Sequence, residues 1–187
     1  MSCFEDVETE DITTCVNQEV QAGLSEVGLK YVKHEDVVNF PMPVALGEVG
    51  YDYEKSVTVA EDITFTAGKG WAKMDFQPDT GEGTVELVGN KGNKKTKNGA
   101  TFFIPGNHKK ILGYIKTMKN VPSLYMYKER DGQVRIVGDK NNPAFITEAK
   151  ATTGKGGEDD KGVQITVESY GIPIVYEGVI QLKVVTP

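Results

Sequence analysis

Gly89–Thr96 reads GNKGNKKT and follows the apolar, strand-like run TVELV at Thr84–Val88. A glycine, a short interval, then lysines and a threonine after a strand has the outline of a phosphate-binding loop, which would make the chain a nucleotide-binding α/β protein. Two requirements fail. Lys94 stands where that loop needs its second glycine, whose freedom lets backbone N–H groups wrap a phosphate. No helix follows either: Lys97-Asn98-Gly99 is a turn signal, and ATFFI at Ala100–Ile104 reads as another strand. A phosphate loop draws its aligned N–H groups from a helix N-terminus, and none is supplied. The stretch Gly89–Asn98 is therefore read as a basic hairpin tip, and the chain around it as mainly β.

The flanking segments extend that reading. Ser56–Thr66, SVTVAEDITFT, places Val57, Val59, Ile63 and Phe65 on a period of two, and Trp71–Phe76 continues the alternation with Trp71 turned inward. Thr101–Ile104 is short and apolar enough to be buried on both faces. Pro105-Gly106-Asn107 stops that strand, with Asn107 as helix N-cap. HKKILGYIKTMKN, about 107–120, then sets Ile111, Leu112, Ile115 and Met118 along one stripe opposite a lysine-rich face. This one amphipathic helix should lie across a sheet. Beyond Pro122, Leu124–Lys128 and Val134–Val137 form a hairpin turning at Asp131-Gly132. Two strands, AFITEAKA and VQITVESY, flank TTGKGGEDDKG, and Ile174–Val185 reads as one long final strand. The expectation is eight to ten strands and one helix, arranged as a β-sandwich or partly closed barrel with long loops and arms.

The chain has 187 residues, and its 39% apolar content suffices for one core. No apolar run is long enough to span a bilayer. MSCFEDVETEDITTC lacks the positive-then-apolar order of a secretory signal, which points to a protein made in a cytoplasm. Met1–Glu19 shows little apolar periodicity and reads as an arm, with a small hairpin between Val20 and Val32. NFPMPVALGE at Asn39–Glu48 is apolar yet holds Pro41 and Pro43, so it is no central strand and must bury itself in its own domain or in a neighbour. Residues 1–45 are accordingly assigned to an acidic arm and inter-subunit loop, and 46–187 to a single sandwich domain.

Charge is unevenly spread. Residues 1–36 carry nine acidic side chains and two lysines, so about −7 of a net −6 lies there. The remainder is close to neutral but locally basic, at Lys91, Lys94, Lys95 and Lys97 and along the helix. Such asymmetry suits self-association, with the hairpin lysines meeting acidic groups of a neighbouring subunit, those of the 1–36 arm included. Solvated surface charge with no partner explains it equally well.

No constellation for chemistry emerges. Cys3 and Cys15 are too few for a disulfide scaffold and read as reduced. With only His34 and His108 beside them, no metal set forms. Glu158-Asp159-Asp160 is consecutive, whereas a calcium loop alternates its ligands, so it reads as a turn. His108 reads as a surface residue, and Tyr125, Met126 and Tyr127 as packing. No catalytic, cofactor-binding or metal residue is assigned, and the expectation is a non-enzyme without cofactor.

One family resemblance rests on the last third of the chain. A hairpin ends in VGD at Val137–Asp139, and the strand AFITEAKAT leads into a Gly-rich acidic loop with a D-x-x-G character at Asp159–Gly162. An ITV-type strand, a Pro-containing segment and a final strand follow. This order, over about Ser123–Val185, resembles the tail tube proteins of long-tailed bacteriophages, those of the Bacteroidetes type among them. The resemblance implies a virion structural protein of the viral tail. Its subunits would join sheets into hexameric rings with a continuous inner β-barrel, and stacked rings would conduct DNA without sequence recognition. It implies contacts with itself and with other tail proteins, and none with a membrane. It also implies that Pro41, Met42 and Pro43 of the apolar loop meet a neighbour, as the four hairpin lysines would. Two other classes fit the same residues: a head–tail connector or tail-end ring, and a monomeric β-sandwich that binds a ligand or carbohydrate.

Overall fold

The computed structural model describes residues 8–13, 20–25 and 28–184; Cys3, Cys15, Val185 and much of the expected acidic arm lie outside the described residues. In chain order the strands are β1 (Lys30–Lys33), β2 (Val37–Asn39), β3 (Thr58–Val59), β4 (Thr64–Phe65), β5 (Ala72–Lys73), β6 (Glu82–Val88) and β7 (Lys95–Pro105). Helix α1 (Lys109–Met118) follows, then β8 (Ser123–Lys128), β9 (Val134–Val137), β10 (Phe145–Thr152), β11 (Gly162–Tyr170) and β12 (Ile174–Tyr176). They build a six-stranded sheet of order β3-β12-β9-β8-β1-β5, a four-stranded sheet β10-β11-β7-β6 and a small pair β2-β4. The protein is mainly β, a sandwich with one helix and no closed barrel.

The period-two patterns explain the layers. Phe102 and Ile104 of β7 and Val163, Ile165 and Val167 of β11 point from the four-stranded sheet onto Tyr125, Tyr127 and Val137 of the six-stranded one. On the opposite face of the six-stranded sheet, Leu124, Met126, Ile136 and Tyr176 meet Phe40, Val59, Ile63 and Trp71. Strand β8 is thus covered on both sides: Ser123 through Tyr127 are all buried. Tyr125, Met126 and Tyr127 are core, and Trp71 turns inward, as their strand positions imply.

Several sequence expectations need correction. The alternating run Ser56–Thr66 is not one strand. It splits into β3 and β4, which lie in different sheets, because the Ile63 N–H donates to Tyr176 Oη and turns the chain between them. Trp71–Phe76 keeps only Ala72–Lys73 as strand; Trp71 itself exchanges backbone bonds with Gln181 and Lys183. The final segment does not run straight from Ile174. It stops at Tyr176, whose hydroxyl donates to the Val179 carbonyl and closes a turn. Twelve strands replace the expected eight to ten, the excess being these short pieces. Thr101–Ile104 is buried on one face only, since Thr101 and Phe103 are half-buried.

The described residues of the 20–32 region do not pair with one another as a hairpin. Leu24 bridges Glu129, and β1 inserts between β8 and β5, with Lys30 opposite Met126 and Lys73. The boundary placed at residue 45 therefore cuts through the domain: Leu24, Leu29, Val32 and Phe40 are all core. Lys97-Asn98-Gly99 is no turn either. It lies inside β7, where buried Asn98 donates through Nδ2 to the carbonyls of Gly171 and Ile172. A Cβ on Gly99 would stand 2.9 Å from Thr84 Oγ1, so the glycine admits close strand packing rather than a bend.

Helix α1 follows Pro105, but His108 takes the N-cap position. Asn107 instead donates through Nδ2 to the Thr152 carbonyl at 2.8 Å. The buried stripe is Ile111, Tyr114, Ile115 and Met118; Leu112 is 45% exposed. Tyr114 packs edge-on to Tyr31 at 5.1 Å, and its hydroxyl lies 2.9 Å from that of Tyr125. Burial raises the Tyr114 phenol far above its ordinary range, and pushes Tyr125 and Tyr127 each up to about 12.

An unfolded tyrosine ionises near pH ~10, below these folded values. The stabilisation they carry is therefore complete below pH ~10 and is lost as pH rises through that value toward the folded one. The melting temperature is expected to be flat up to about pH 9 and to fall steeply above pH ~10. Tyr125→Phe, followed by circular dichroism, should make that fall shallower; an unchanged slope would refute the coupling.

Candidate assembly surface

The four-stranded sheet has two faces of opposite character. Its inner face joins the core. Its outer face is set by register into rows: Glu86, Lys97 and Tyr170; then Thr84, Gly99, Glu168 and Phe145; then Glu82, Thr101, Thr166 and Glu148. Residues directly opposite on antiparallel strands share a face and interact. Thr101 and Thr166 hydroxyls lie 3.1 Å apart, and Lys97 Nζ meets Glu168 Oε1 at 2.6 Å. The hydrogen bond to Glu168, with further attraction from Glu86, raises the Lys97 amine above its ordinary value.

Both ends of this sheet are open among the described residues. Strand β6 pairs only with β7, and β10 only with β11. They run seven and eight residues. Each leaves a row of backbone N–H and C=O groups without a strand partner. Each also leaves small or apolar side chains uncovered on its inward-facing side: Val85 and Leu87 on β6 are 50% and 70% exposed, and Ala149 and Ala151 on β10 are exposed. Strand β10 carries a bulge between Ile146 and Glu148, which interrupts its ladder near one end.

The predicted contact residues fall in two places that turn out to be neighbours. Lys91 and Lys94 sit on the exposed tip between β6 and β7, where Gly89 and Gly92 take positive φ of 98° and 82°. Lys95 opens β7 and is exposed; Lys97, two pairs further in, already has its carboxylate within the chain. The tip is thus shorter than the expected Gly89–Asn98, because Lys95–Asn98 belong to β7. In the apolar loop, Pro43 is buried and Pro41 half-buried, while Met42 and Leu46 stay 40% and 47% exposed. The loop therefore buries half of itself in its own domain through Phe40 and Pro43. Met42 and Lys95 line one open cleft of about 910 Å³, with Thr96, Asn142, Tyr170 and Pro173 among its walls.

The lining of the cleft also includes Ser56 and Asp139. Asp139, buried at its floor, is occupied locally, accepting the backbone N–H of Asn141 and Asn142. In the 152–161 loop, Asp159 accepts the N–H groups of Lys155 and Gly156, which hold its carboxyl below the ordinary range. Its acidic cluster serves a turn, and no group of His, Cys, Asp and Glu able to hold a metal occurs among the described residues. Nor is any described helix long and apolar enough to cross a membrane. That a sandwich of this size has open edges follows from its class, but the sequence does not say which strands form them. TVELV signals a strand but not which side lacks a neighbour, since that depends on where β10 and β11 return. Comparison of the chain with protein-family models, curated proteins and solved structures finds no match in any of the three.

Proposed function

We propose that this chain is a non-enzymatic structural subunit of a bacteriophage tail tube, assembling through its four-stranded sheet into hexameric rings that stack and conduct DNA. The observation that carries the reading is the pair of open edges, β6 and β10, of matched length at opposite ends of one sheet. Joining β6 of one copy to β10 of the next satisfies both rows of backbone groups, and cyclic symmetry leaves no edge over. The same step covers Val85, Leu87, Ala149 and Ala151. The outer face of the sheet then lines the ring. Its carboxylates at Glu82, Glu86, Glu148 and Glu168 outnumber its amines at Lys95, Lys97 and Lys150, so it offers phosphate no net positive grip. Lys91 and Lys94 project from the hairpin tip, and Met42 from the cleft, toward the next subunit.

The cleft of about 910 Å³, with exposed Tyr170 beside Asn141 and Asn142, favours a second reading, a monomeric ligand-binding sandwich. Light scattering on a size-exclusion column followed by negative-stain microscopy separates the two. Rings and tubes are expected; a uniform monomer at high concentration would defeat the tube and promote the binding domain. Rings that never stack would point to a connector.

A further inference from the structure

A groove of about 430 Å³ lies between α1 and the β1–β5 edge, and none of its lining residues belongs to the sheet edges β6 and β10. Its floor is apolar: Tyr31, Met74, Ile104, Ile111 and Tyr114. Its lining is completed by His108, one carboxylate, Asp75, and two lysines, Lys73 and Lys110; Lys109, Lys116 and Lys119 add positive charge elsewhere on α1 and at its C-cap. None of these five lysines forms an ion pair among the described residues, whereas Lys33, Lys55 and Lys97 all do. An apolar trough whose lining carries two lysines to one carboxylate, beside a lysine-rich helix, fits an acidic peptide that carries apolar anchors.

The chain itself holds such a peptide. Residues 1–13, MSCFEDVETEDIT, contain Glu5, Asp6, Glu8, Glu10 and Asp11 and no lysine or arginine, with Phe4, Val7 and Ile12 between the acids. Where the structure describes this segment, its own domain gives it little. Glu8 and Glu10 accept hydrogen bonds from Tyr53, and Ile12 remains 86% exposed. We infer that the groove beside α1 receives the acidic N-terminal segment of a second copy of this chain. The apolar side chains enter over Tyr31, Met74 and Ile111, and the carboxylates face the lysines. This deepens the assembly reading but rests on a different surface from the one that closes the ring.

Disulfide trapping with the native Cys3 tests it. One full-length chain carries Lys110→Cys with Cys3→Ser and Cys15→Ser; the other carries only Cys15→Ser. Lys110 is exposed, so the first variant should melt like the parent. On mixing and mild oxidation a covalent heterodimer is expected. It should be lost in high salt and lost when Glu5, Asp6 and Glu8 become Gln. No heterodimer would overturn the inference. So would equal or greater trapping by Lys91→Cys at the hairpin tip. So would a chain bearing both Cys3 and Lys110→Cys that closes on itself as a monomer. Tubes without this cross-link would sink the groove alone, and the cross-link without rings would sink the tube alone.

Discussion

A chain that begins at residue 37 is expected not to fold. The deletion removes β1, which lies between β8 and β5, and with it Leu24, Leu29 and Val32, each no more than 4% exposed. Emptying one such site costs about 2–5 kcal/mol, so three approach the whole ~5–15 kcal/mol that holds a domain together. The edge of β8 would also lose its partner while both of its faces stay buried, leaving N–H and C=O groups unsatisfied. Removing only residues 1–13 should change stability by no more than about 1 kcal/mol, because the described contacts are two exposed hydrogen bonds to Tyr53. Thermal unfolding by circular dichroism checks both. A cooperative melt from the chain starting at residue 37 would show that β1 is dispensable. In the assembly reading, the shorter deletion is the informative one: it should leave the sandwich intact and remove contacts between copies.

Trp71→Ala is expected to lower stability by about 3–5 kcal/mol, or roughly 6–20 °C in melting temperature for a chain of this size. Trp71 is 1% exposed, packs edge-on to Phe65 at 5.9 Å, and is the largest side chain in the core between the six-stranded sheet and the β2–β4 pair. Trp71→Phe should cost far less, about 1–2 kcal/mol. The indole Nε1–H is buried without a partner among the described residues, so phenylalanine gives up volume but no hydrogen bond. Urea unfolding followed by circular dichroism measures both. Equal losses for Ala and Phe would mean that the indole nitrogen holds something that the ring alone does not.

What could be read from the sequence was local. The hairpin β8–β9, the pair β10–β11 and helix α1 each follow from alternation, a turn pair or a stripe within a few tens of residues. The GNKGNKKT stretch also read correctly as the connection of a hairpin, because the segment after it signals a second strand, although the tip is shorter than Gly89–Asn98. Misreadings came where distant chain decides. Asn98-Gly99 carries turn chemistry, yet the Gly171 and Ile172 carbonyls recruit Asn98 into a strand. Ile174–Val185 alternates well, yet Tyr176 folds it back through Val179. Residues 30–33 sit in a stretch that reads as an appendage, but their partners near residue 125 make them central. Of the candidate surface, the lysines were visible as a charge run. Which strands form the open edges was not, since an edge is defined by what fails to lie beside it.

The position of β1 also bears on how the chain is born. Tyr31 precedes its neighbour Tyr125 by a long stretch of chain, and β3 waits for β12, the last strand of the sheet to be made. The six-stranded sheet therefore cannot close until β12 has been made. The hairpins β6–β7 and β8–β9 can pair as they are made, but β1 and β3 must wait for distant chain, so completion of this sheet is a late event rather than a stepwise accretion from the N-terminus.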